Sequence, residues 1–217
     1  STGLFSRSGG FVGFGLQTLL ARGPAPLIGV DFSASSVKVV ELSPGKQAPM
    51  RLERYAIEPI ERGAVVDGNV ERHEAVADAL LRALRKTGSS TKQVAMALPS
   101  SSVITKRITL PADLKEDDYE VQVESEASQY IPFAIDEVNL DFQVLGPSAN
   151  SEDSVDVLLA ASRKEKVDDR VMVAELAGLK PVIIDVEPYA ARISIDNIIS
   201  QLPAGGEGQI LAVFDIG

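Results

Sequence analysis

The segment at residues 26–42 constrains the fold of this chain more than any other stretch. An apolar run at 27–30 ends on the carboxylate of Asp31, and a second apolar run begins at Val37. Two β-rich runs on either side of a short loop of small residues are typical of a β-hairpin. The nearly continuous apolar character of the first run is typical of a strand buried on both faces of a sheet. The segment therefore predicts a hairpin whose first strand lies inside a sheet and ends on a negative charge.

The loop between the two runs carries small and hydroxyl side chains, and two interpretations of it are open. These side chains belong to Ser33, Ala34, Ser35 and Ser36. Small residues let backbone N–H groups approach an anion closely, as in phosphate-binding loops, and Lys38 would add a positive charge to the same phosphate. The alternative is an ordinary hairpin with a polar tip and a solvated lysine. The hairpin by itself is compatible with both.

Two later segments extend this pattern. Residues 210–217 form a second apolar run that contains Asp215 and ends on Gly217. Between the two Asp-containing segments, another apolar run passes directly into Glu187 and Pro188, which predicts a strand followed by a helix. Pro is favoured at the first helical position, so this dipeptide is also an ordinary helix start. The strand-end carboxylates likewise have a simple alternative, which is solvation.

The order of an Asp hairpin, a Glu-Pro helix and an Asp-Ile-Gly strand resembles the phosphate-1, connect-1 and phosphate-2 motifs of the actin-like ATPase superfamily. The resemblance implies an ATP site in which the backbone of residues 32–36 wraps the β- and γ-phosphates and Lys38 contacts a phosphate. Asp31 and Asp215 would hold Mg²⁺ through water, since this ion keeps much of its hydration shell. Glu187 would orient a metal-bound or attacking water, although superfamily membership does not by itself imply ATP turnover.

One position departs from the superfamily pattern. Ser33 stands where a glycine usually follows the Asp-x pair, and a Cβ there restricts φ and is expected to loosen the phosphate cradle. In this resemblance the second phosphate loop would begin at Gly217, the last residue of the sequence. A nucleotide site built from two halves loses most of its contacts when one half is missing. We therefore expect an N-terminal fragment that has little nucleotide affinity of its own.

Composition argues against several classes of function. The 217 residues carry a formal net charge of −10 that no basic cluster offsets, which argues against a nucleic-acid partner. Cysteine is absent, which removes disulfides, thiolate catalysis and cysteine-based zinc sites. The single histidine, His73, lies in a helical pattern and does not favour a metal site. No apolar run approaches the roughly 18–20 residues that span a bilayer.

The residues after the hairpin predict the rest of one actin-like subdomain. Residues 50–60 alternate as a third strand, residues 70–86 carry a helical apolar stripe that stops before Gly88, and residues 93–98 form a buried strand. Three strands, a helix and a strand make up one half of an actin-like (ribonuclease H-like) subdomain.

After residue 101 the pattern changes to β-α-β-β-α-β, which is the ferredoxin-like split arrangement. The predicted strands are 103–110, 140–145, 155–160 and 181–186, and the predicted helices are 114–131 and 162–177. Because this set has its own apolar stripes, we expect residues 102–186 to fold as an inserted subdomain without help from the rest of the chain.

The insertion resembles the 1C subdomain of the cell-division protein FtsA, and four segments resemble the PilM family of type IV pilus assembly proteins more closely. These segments are 27–42, 126–142, 156–165 and 185–190. The resemblance implies a cytoplasmic, nucleotide-binding scaffold at the inner-membrane face that docks the cytoplasmic tail of PilN and contacts the assembly ATPase. The resemblance also implies that the protein contacts the membrane only through its partners. The alternatives are an FtsA-like filament protein and a small-molecule kinase of the same superfamily.

We therefore predict an α/β chain made of an actin-like subdomain and an inserted ferredoxin-like subdomain. The actin-like part comprises residues 26–101 and 187–203, and the insertion comprises residues 102–186. Residues 204–217 are expected to be a linker and the first strand of a second half. Residues 1–25 are expected to be a loosely ordered leader, with an interaction helix or a signal peptide as alternatives.

The connection after the acidic helix carries two apolar side chains. The helix is broken by Pro132, which leaves Phe133 and Ile135 ahead of the next strand. Loops normally run over the wet surface, so these side chains need cover. They either pack on the sheet of the insertion or line the groove towards the actin-like subdomain, where apolar surface marks a binding site for a partner tail.

Overall fold

The structure is a computed structural model that describes residues 5–6, 26–43, 50–149 and 151–214. Its strands are β1 (Phe5–Ser6), β2 (Ile28–Phe32), β3 (Ser36–Ser43), β4 (Arg51–Pro59), β5 (Val65–Val66), β6 (Asn69–Val70), β7 (Gln93–Leu98), β8 (Ile104–Pro111), β9 (Val138–Ser148), β10 (Ser151–Arg163) and β11 (Lys180–Val186). The α-helices are α1 (His73–Thr87), α2 (Glu116–Ala127), α3 (Lys164–Leu176) and α4 (Glu187–Ile199). Short 3₁₀ turns occupy Ser100–Ser102, Ile135–Glu137 and Pro203–Gly206.

The larger sheet has six strands in the order β1-β11-β7-β2-β3-β4. Strands β2 and β3 form the predicted antiparallel hairpin, and β4 extends it on the far side of β3. Strand β7 is parallel to both β2 and β11. Because the carboxyl ends of parallel strands meet at the same edge of a sheet, the ends of β2, β7 and β11 lie together.

Helix α1 packs on this sheet through the predicted apolar stripe. Val76, Ala79, Leu80 and Ala83 are fully buried in the same cluster as the inner side chains of the hairpin. The helix stops at Gly88, which adopts the left-handed conformation with φ 62° and donates its N–H to the carbonyl of Leu84. This is the C-terminal stop that the sequence predicts.

The smaller sheet has three strands in the order β8-β10-β9, and α2 covers one face of it. Val123 and Ala127 of the helix are buried against Val157 and Leu159 of β10. The helix is shorter than predicted, since it ends at Ala127. The part of the insertion before α3 therefore forms a β-α-β-β unit with its own core.

The fourth strand of the predicted ferredoxin-like set is not in this sheet. Strand β11 pairs in parallel with β7 in the larger sheet, and α3 packs against α1 and β11. The ferredoxin-like subdomain is thus not confirmed, because its predicted last strand lies in the larger sheet and its predicted second helix packs against α1. The physical reason is that an apolar strand pattern shows that a strand is buried but not which sheet buries it.

A third apolar cluster joins the two sheets. Leu98 of β7 and Ile184 and Val186 of β11 pack against Ala160 of β10 and Val171 of α3. A hydrogen bond from the hydroxyl of Ser162 to the carbonyl of Ser102, 2.8 Å long, lies at the same junction. The two sheets therefore share buried side chains.

Both ends of the chain differ from the sequence prediction where they are described. Residues 5–6 form β1, which pairs with β11, whereas the remaining predictions for residues 1–25 lie outside the described residues. Residues 210–214 carry no strand, and Ile210 is 99% exposed. The strand predicted there is wrong for these residues, because no described strand lies beside them to pair with. Within the described ranges, no helix is long and apolar enough to cross a membrane.

We predict that residues 102–186 expressed as a separate chain will not unfold cooperatively. Helix α3 and strand β11 would lose the cover of α1 and β7 and would expose the junction cluster. Thermal unfolding followed by circular dichroism tests this, with residues 26–203 as the control, because that chain keeps both sheets. A cooperative transition in the shorter chain would restore the independent insertion that the sequence predicts.

A second prediction concerns Asp141 of β9, which faces Ala160 of β10 across the small sheet. Burial raises the pKa of this carboxyl from 3.8 to about 6, against the lowering effect of the N–H of Phe142, which donates to it at 2.8 Å. The folded chain then holds this proton more strongly than the unfolded chain does. The contribution of Asp141 to the free energy of unfolding should therefore fall as the pH rises from about 4 to about 6.

Asp141→Asn should remove this slope and raise the free energy of unfolding near neutral pH by on the order of 1 kcal/mol. Urea denaturation across this pH range measures both effects. Asp153→Asn, at an exposed position on β10, serves as the control. An unchanged pH slope in the Asp141 variant would show that this carboxyl does not titrate as described.

Candidate functional site

The side chains of Asp31 and Lys38 face each other across the hairpin. The two residues are directly paired in the register of β2 and β3, and Lys38 Nζ donates to Asp31 Oδ2 at 2.9 Å. Their side chains are 51% and 44% exposed, respectively, because Val30 and Val37 take the inward positions beside them. The carboxylate and the ammonium group that the sequence assigns to one site are thus together and open to solvent.

The hairpin loop is held by its own polar groups. Ser33 N donates to the carbonyl of Ser36 at 2.9 Å, and Ser35 N donates to Ser33 Oγ at 3.5 Å. The carbonyl of Ser35 accepts from the N–H of Ile60 at 2.9 Å, which ties the loop to the end of β4. Ala34 and Ser35 are exposed at the tip. The result is a fixed, hydroxyl-rich tip beside the Asp31 carboxylate.

Glu187 lies at the start of α4, directly after β11. At the end of β11 the N–H of Val186 donates to Asp185 Oδ1 at 2.8 Å, and Pro188 occupies the first turn of the helix. The Glu-Pro dipeptide is therefore a helix start, as one interpretation of the sequence predicts. Because β11 and β2 are both parallel to β7, Glu187 and Asp31 lie at the same edge of the larger sheet.

Arg170 of α3 is a buried cation that sequence reasoning missed. It is 2% exposed, its Nη2 donates to the carbonyl of Gly68 at 2.7 Å, and its guanidinium lies 4.8 Å from the centre of the Phe32 ring. Burial lowers its pKa, and the negative charges of Glu187, Asp169 and Asp31 oppose this shift. Asp31 and Glu187, which the sequence assigns to two distant motifs, therefore both stabilise the charge of the Arg170 guanidinium.

A signal for this residue is present in the sequence. Arg170 occupies the same helical stripe as Val167, Val171 and Ala174, which are all buried. A cation on an apolar stripe is rarely buried unless it has a partner. The positions of its partners cannot be obtained from the helix pattern, because Phe32 and Gly68 are distant in sequence.

The remaining predicted nucleotide residues, Asp215 and Gly217, lie outside the described residues. Within the described ranges, no group of three or more acidic or histidine side chains could hold a metal ion.

A groove of about 520 Å³ lies between the small sheet and the turn that joins β5 and β6. Its apolar lining comes mainly from the connection after α2 and from the small sheet, and it includes Val103, Ile131, Phe133 and Val138. Its polar lining comes from the turn between β5 and β6, the 3₁₀ turn after β7 and the start of α3, and it includes Asp67, Asn69, Ser101, Ser102, Ser162, Arg163 and Lys166. The groove combines an apolar wall with polar and charged groups.

The two apolar residues of the connection after α2 take different positions. Phe133 lines the groove and is 38% exposed, and the Arg163 guanidinium lies 5.3 Å from the centre of its ring. Ile135 instead packs against the core of the small sheet. The sequence left open whether these side chains line a groove or pack on the small sheet. Phe133 lines the groove, and Ile135 packs on the small sheet.

A protein-family model and a solved structure both match most of this chain. A family model described as type IV pilus assembly protein PilM matches residues 29–217. A solved chain from a PilM-PilN type IV pilus biogenesis complex is 32% identical, with a TM-score of 0.71 over 82% of this chain and 52% of that chain. The chain thus spans about half the length of that protein.

A second solved structure is the cytoplasmic domain of EpsL, an inner-membrane component of the type II secretion system of Vibrio cholerae. It is 12% identical, with a TM-score of 0.46 over 74% of this chain and 57% of that chain, and this likeness supports no conclusion. The PilM-PilN structure agrees with the mixed α/β fold, and the family model covers the segment from Gly29 onwards. The chain belongs to the PilM family of type IV pilus assembly proteins.

Proposed function

We propose that this chain is part of a cytoplasmic scaffold of the type IV pilus assembly complex, and that the groove between the small sheet and the β5–β6 turn docks the cytoplasmic tail of PilN. The observation that carries the proposal is the position of Phe133, which is part-exposed in a groove with an apolar wall. The solved complex in which a similar chain is paired with PilN names the class of partner.

The lining of the groove suits an extended peptide. Phe133 and Ile131 offer apolar cover for alternate side chains of such a tail, which is how extended peptides gain specificity. Serine hydroxyls in the lining can bond the backbone of the tail, and Arg163 and Lys166, which both pair with Glu165, add charged groups. These features are expected of a site for a short apolar segment with polar flanks.

We also propose that the hairpin binds Mg-ATP. Asp31 and Lys38 neutralise each other across the register, so a hydrated Mg²⁺ could replace Lys38 as the partner of Asp31, and a phosphate could replace Asp31 as the partner of Lys38. The loop tip beside them has little side-chain bulk at Ala34, so phosphate oxygens can approach its backbone. Bound Mg-ATP would supply the negative charge that Lys38 complements, and the proposal is for binding rather than turnover.

These proposals place the protein at the inner-membrane face, where it meets the membrane through partners and relays nucleotide state to the assembly ATPase. Binding of a PilN tail in the groove would favour this scaffold over the alternative of a small-molecule kinase. An FtsA-like filament protein is the other alternative, and a test of tail binding separates it from the scaffold.

We predict that Phe133→Ala in the full-length protein weakens binding of a synthetic PilN cytoplasmic tail by about tenfold or more. The reason is that truncating a contacting aromatic ring removes roughly 2 kcal/mol of apolar burial. Calorimetric titration of the peptide measures the change. Tyr130→Ala is a matched control, because Tyr130 is 41% exposed near the same helix end, where its ring lies 4.9 Å from Lys106 Nζ.

Two results would contradict the docking proposal. Loss of thermal stability in Phe133→Ala without a change in tail affinity would make Phe133 a structural residue. A full-length protein that phosphorylates a small molecule and binds no PilN tail would favour the kinase alternative.

We predict that Asp31→Asn in the full-length protein reduces Mg-ATP affinity at least tenfold without unfolding the chain. The substitution keeps the size of the side chain but removes its charge, and the half-exposed position tolerates the change. Calorimetric titration with Mg-ATP measures it, and Asp118→Asn, at an exposed position on α2, is the control. Equal affinity in the Asp31 variant and the parent protein would exclude this hairpin as the nucleotide site.

A further inference from the structure

Arg170 stands between the hairpin and the groove, and it makes a defined contact towards each. Towards the hairpin, its guanidinium lies over the Phe32 ring at 4.8 Å. Phe32 is the residue after Asp31 and opens the loop that carries the serine hydroxyls, and it is itself 8% exposed. A cation over an aromatic face is attracted to it more strongly when both groups are removed from water. Arg170 therefore supports the loop from beneath.

Towards the groove, Arg170 holds the tight turn between β5 and β6. Its Nη2 donates to the carbonyl of Gly68 at 2.7 Å. Asp67 and Gly68 have φ values of 50° and 77°, which is the pattern of a two-residue hairpin turn with both central residues left-handed. The neighbours of Gly68 in this turn, Asp67 and Asn69, both line the groove.

The turn has little room to move by itself. A Cβ on residue 68 would lie 2.7 Å from Pro99 Cγ, so the turn packs closely against the residue after β7. Ser101 and Ser102, in the 3₁₀ turn that follows Pro99, also line the groove. A displacement of the Arg170 side chain would therefore be transmitted to two walls of the groove.

The hydrogen bonding of Arg170 leaves it a choice of partner. Its Nε is buried and has no hydrogen-bond partner in the described part of the chain. Glu187 and Asp31 lie within electrostatic reach of the guanidinium. A change of charge at the hairpin would alter the field at Arg170, whose Nε–H can donate to a new partner if the side chain rotates.

We propose that Arg170 is a positioning residue that couples the nucleotide site to the groove, so that Mg-ATP and the PilN tail change each other's affinity. This inference rests on the proposed function, because both ligands are assigned there. The contacts to Phe32 and Gly68 are the physical link, and thermodynamic linkage requires the same coupling factor whichever ligand is bound first.

The test is a pair of calorimetric titrations on the full-length protein. The dissociation constant of a synthetic PilN cytoplasmic tail is measured with and without saturating Mg-ATP, and that of Mg-ATP with and without the tail. We expect a factor of about fivefold or more, equal in both directions, in the parent protein. Arg170→Met, which keeps the length of the side chain and removes the charge, should bring both factors to within about twofold of one.

Three further variants make the result specific. Arg170→Lys keeps the charge but cannot reach Phe32 and Gly68 at once, and it should also lose the coupling. Phe32→Leu removes the ring face from the other side, and it provides the test if Arg170→Met does not fold. Arg82→Met is the matched control, since Arg82 also donates to a backbone carbonyl, that of Pro59 at 2.9 Å, and it should keep the parent coupling.

The outcomes separate this inference from the proposed function. A parent protein that binds both ligands with a coupling factor near one would overturn the inference and leave the proposed function standing. Full coupling in Arg170→Met, Arg170→Lys or Phe32→Leu would also overturn the role of Arg170. A parent protein that fails to bind Mg-ATP or the PilN tail would overturn the proposed function and this inference together.

Discussion

The parallel pairing of β11 with β7 is the interaction on which most of the functional geometry depends. It adds a strand to the sheet that contains the hairpin, and it brings the end of β11 to the edge where β2 also ends. Glu187 follows β11, and Asp31 lies near the end of β2, so this pairing together with that of β2 and β7 brings both residues to the same edge of the sheet. The order of parallel strands thus assembles a site from distant segments, as is usual in open α/β sheets.

The same pairing determines how the small sheet is attached. Helix α3 follows directly from β10 and runs back over the larger sheet to reach β11, so the two sheets share the apolar cluster around Leu98 and Val171. A small sheet held through a shared core keeps a defined position, and a groove forms where the β5–β6 turn and the 3₁₀ turn after β7 meet the apolar connection after α2. The groove is therefore a consequence of the chain path.

Buried charge at this edge is balanced over several groups. Arg170 would be costly to bury without partners, and it is compensated by the Gly68 carbonyl, the Phe32 ring and nearby carboxylates. Asp31 is meanwhile satisfied by Lys38 at the solvent side. The edge thus contains two cations at different depths, one accessible and one not, and the inner cation also contacts the turn that lines the groove.

The sequence by itself determined the local elements and their chemistry. Alternating and continuous apolar runs predicted the hairpin, the strand after it and the buried strand β7, and a helical stripe followed by Gly88 predicted α1 and its end. The motif order suggested the actin-like superfamily, and four sequence segments suggested the PilM family to which the chain belongs. Elements of this kind are predictable because the pattern of buried residues along a strand or helix is set by its own geometry.

Tertiary structure decided which elements meet. Periodicity predicted that β11 is buried, but its partner β7 could be known only from long-range pairing, and the ferredoxin-like arrangement was the wrong choice of sheet. In the same way, sequence could not separate Phe133 from Ile135, because two apolar residues in one connection differ only in the surfaces they reach. The position of Arg170 likewise depends on long-range contacts, which are those with the Phe32 ring and the Gly68 carbonyl. A pattern along the chain records that a side chain is buried, and only the folded chain supplies its partner.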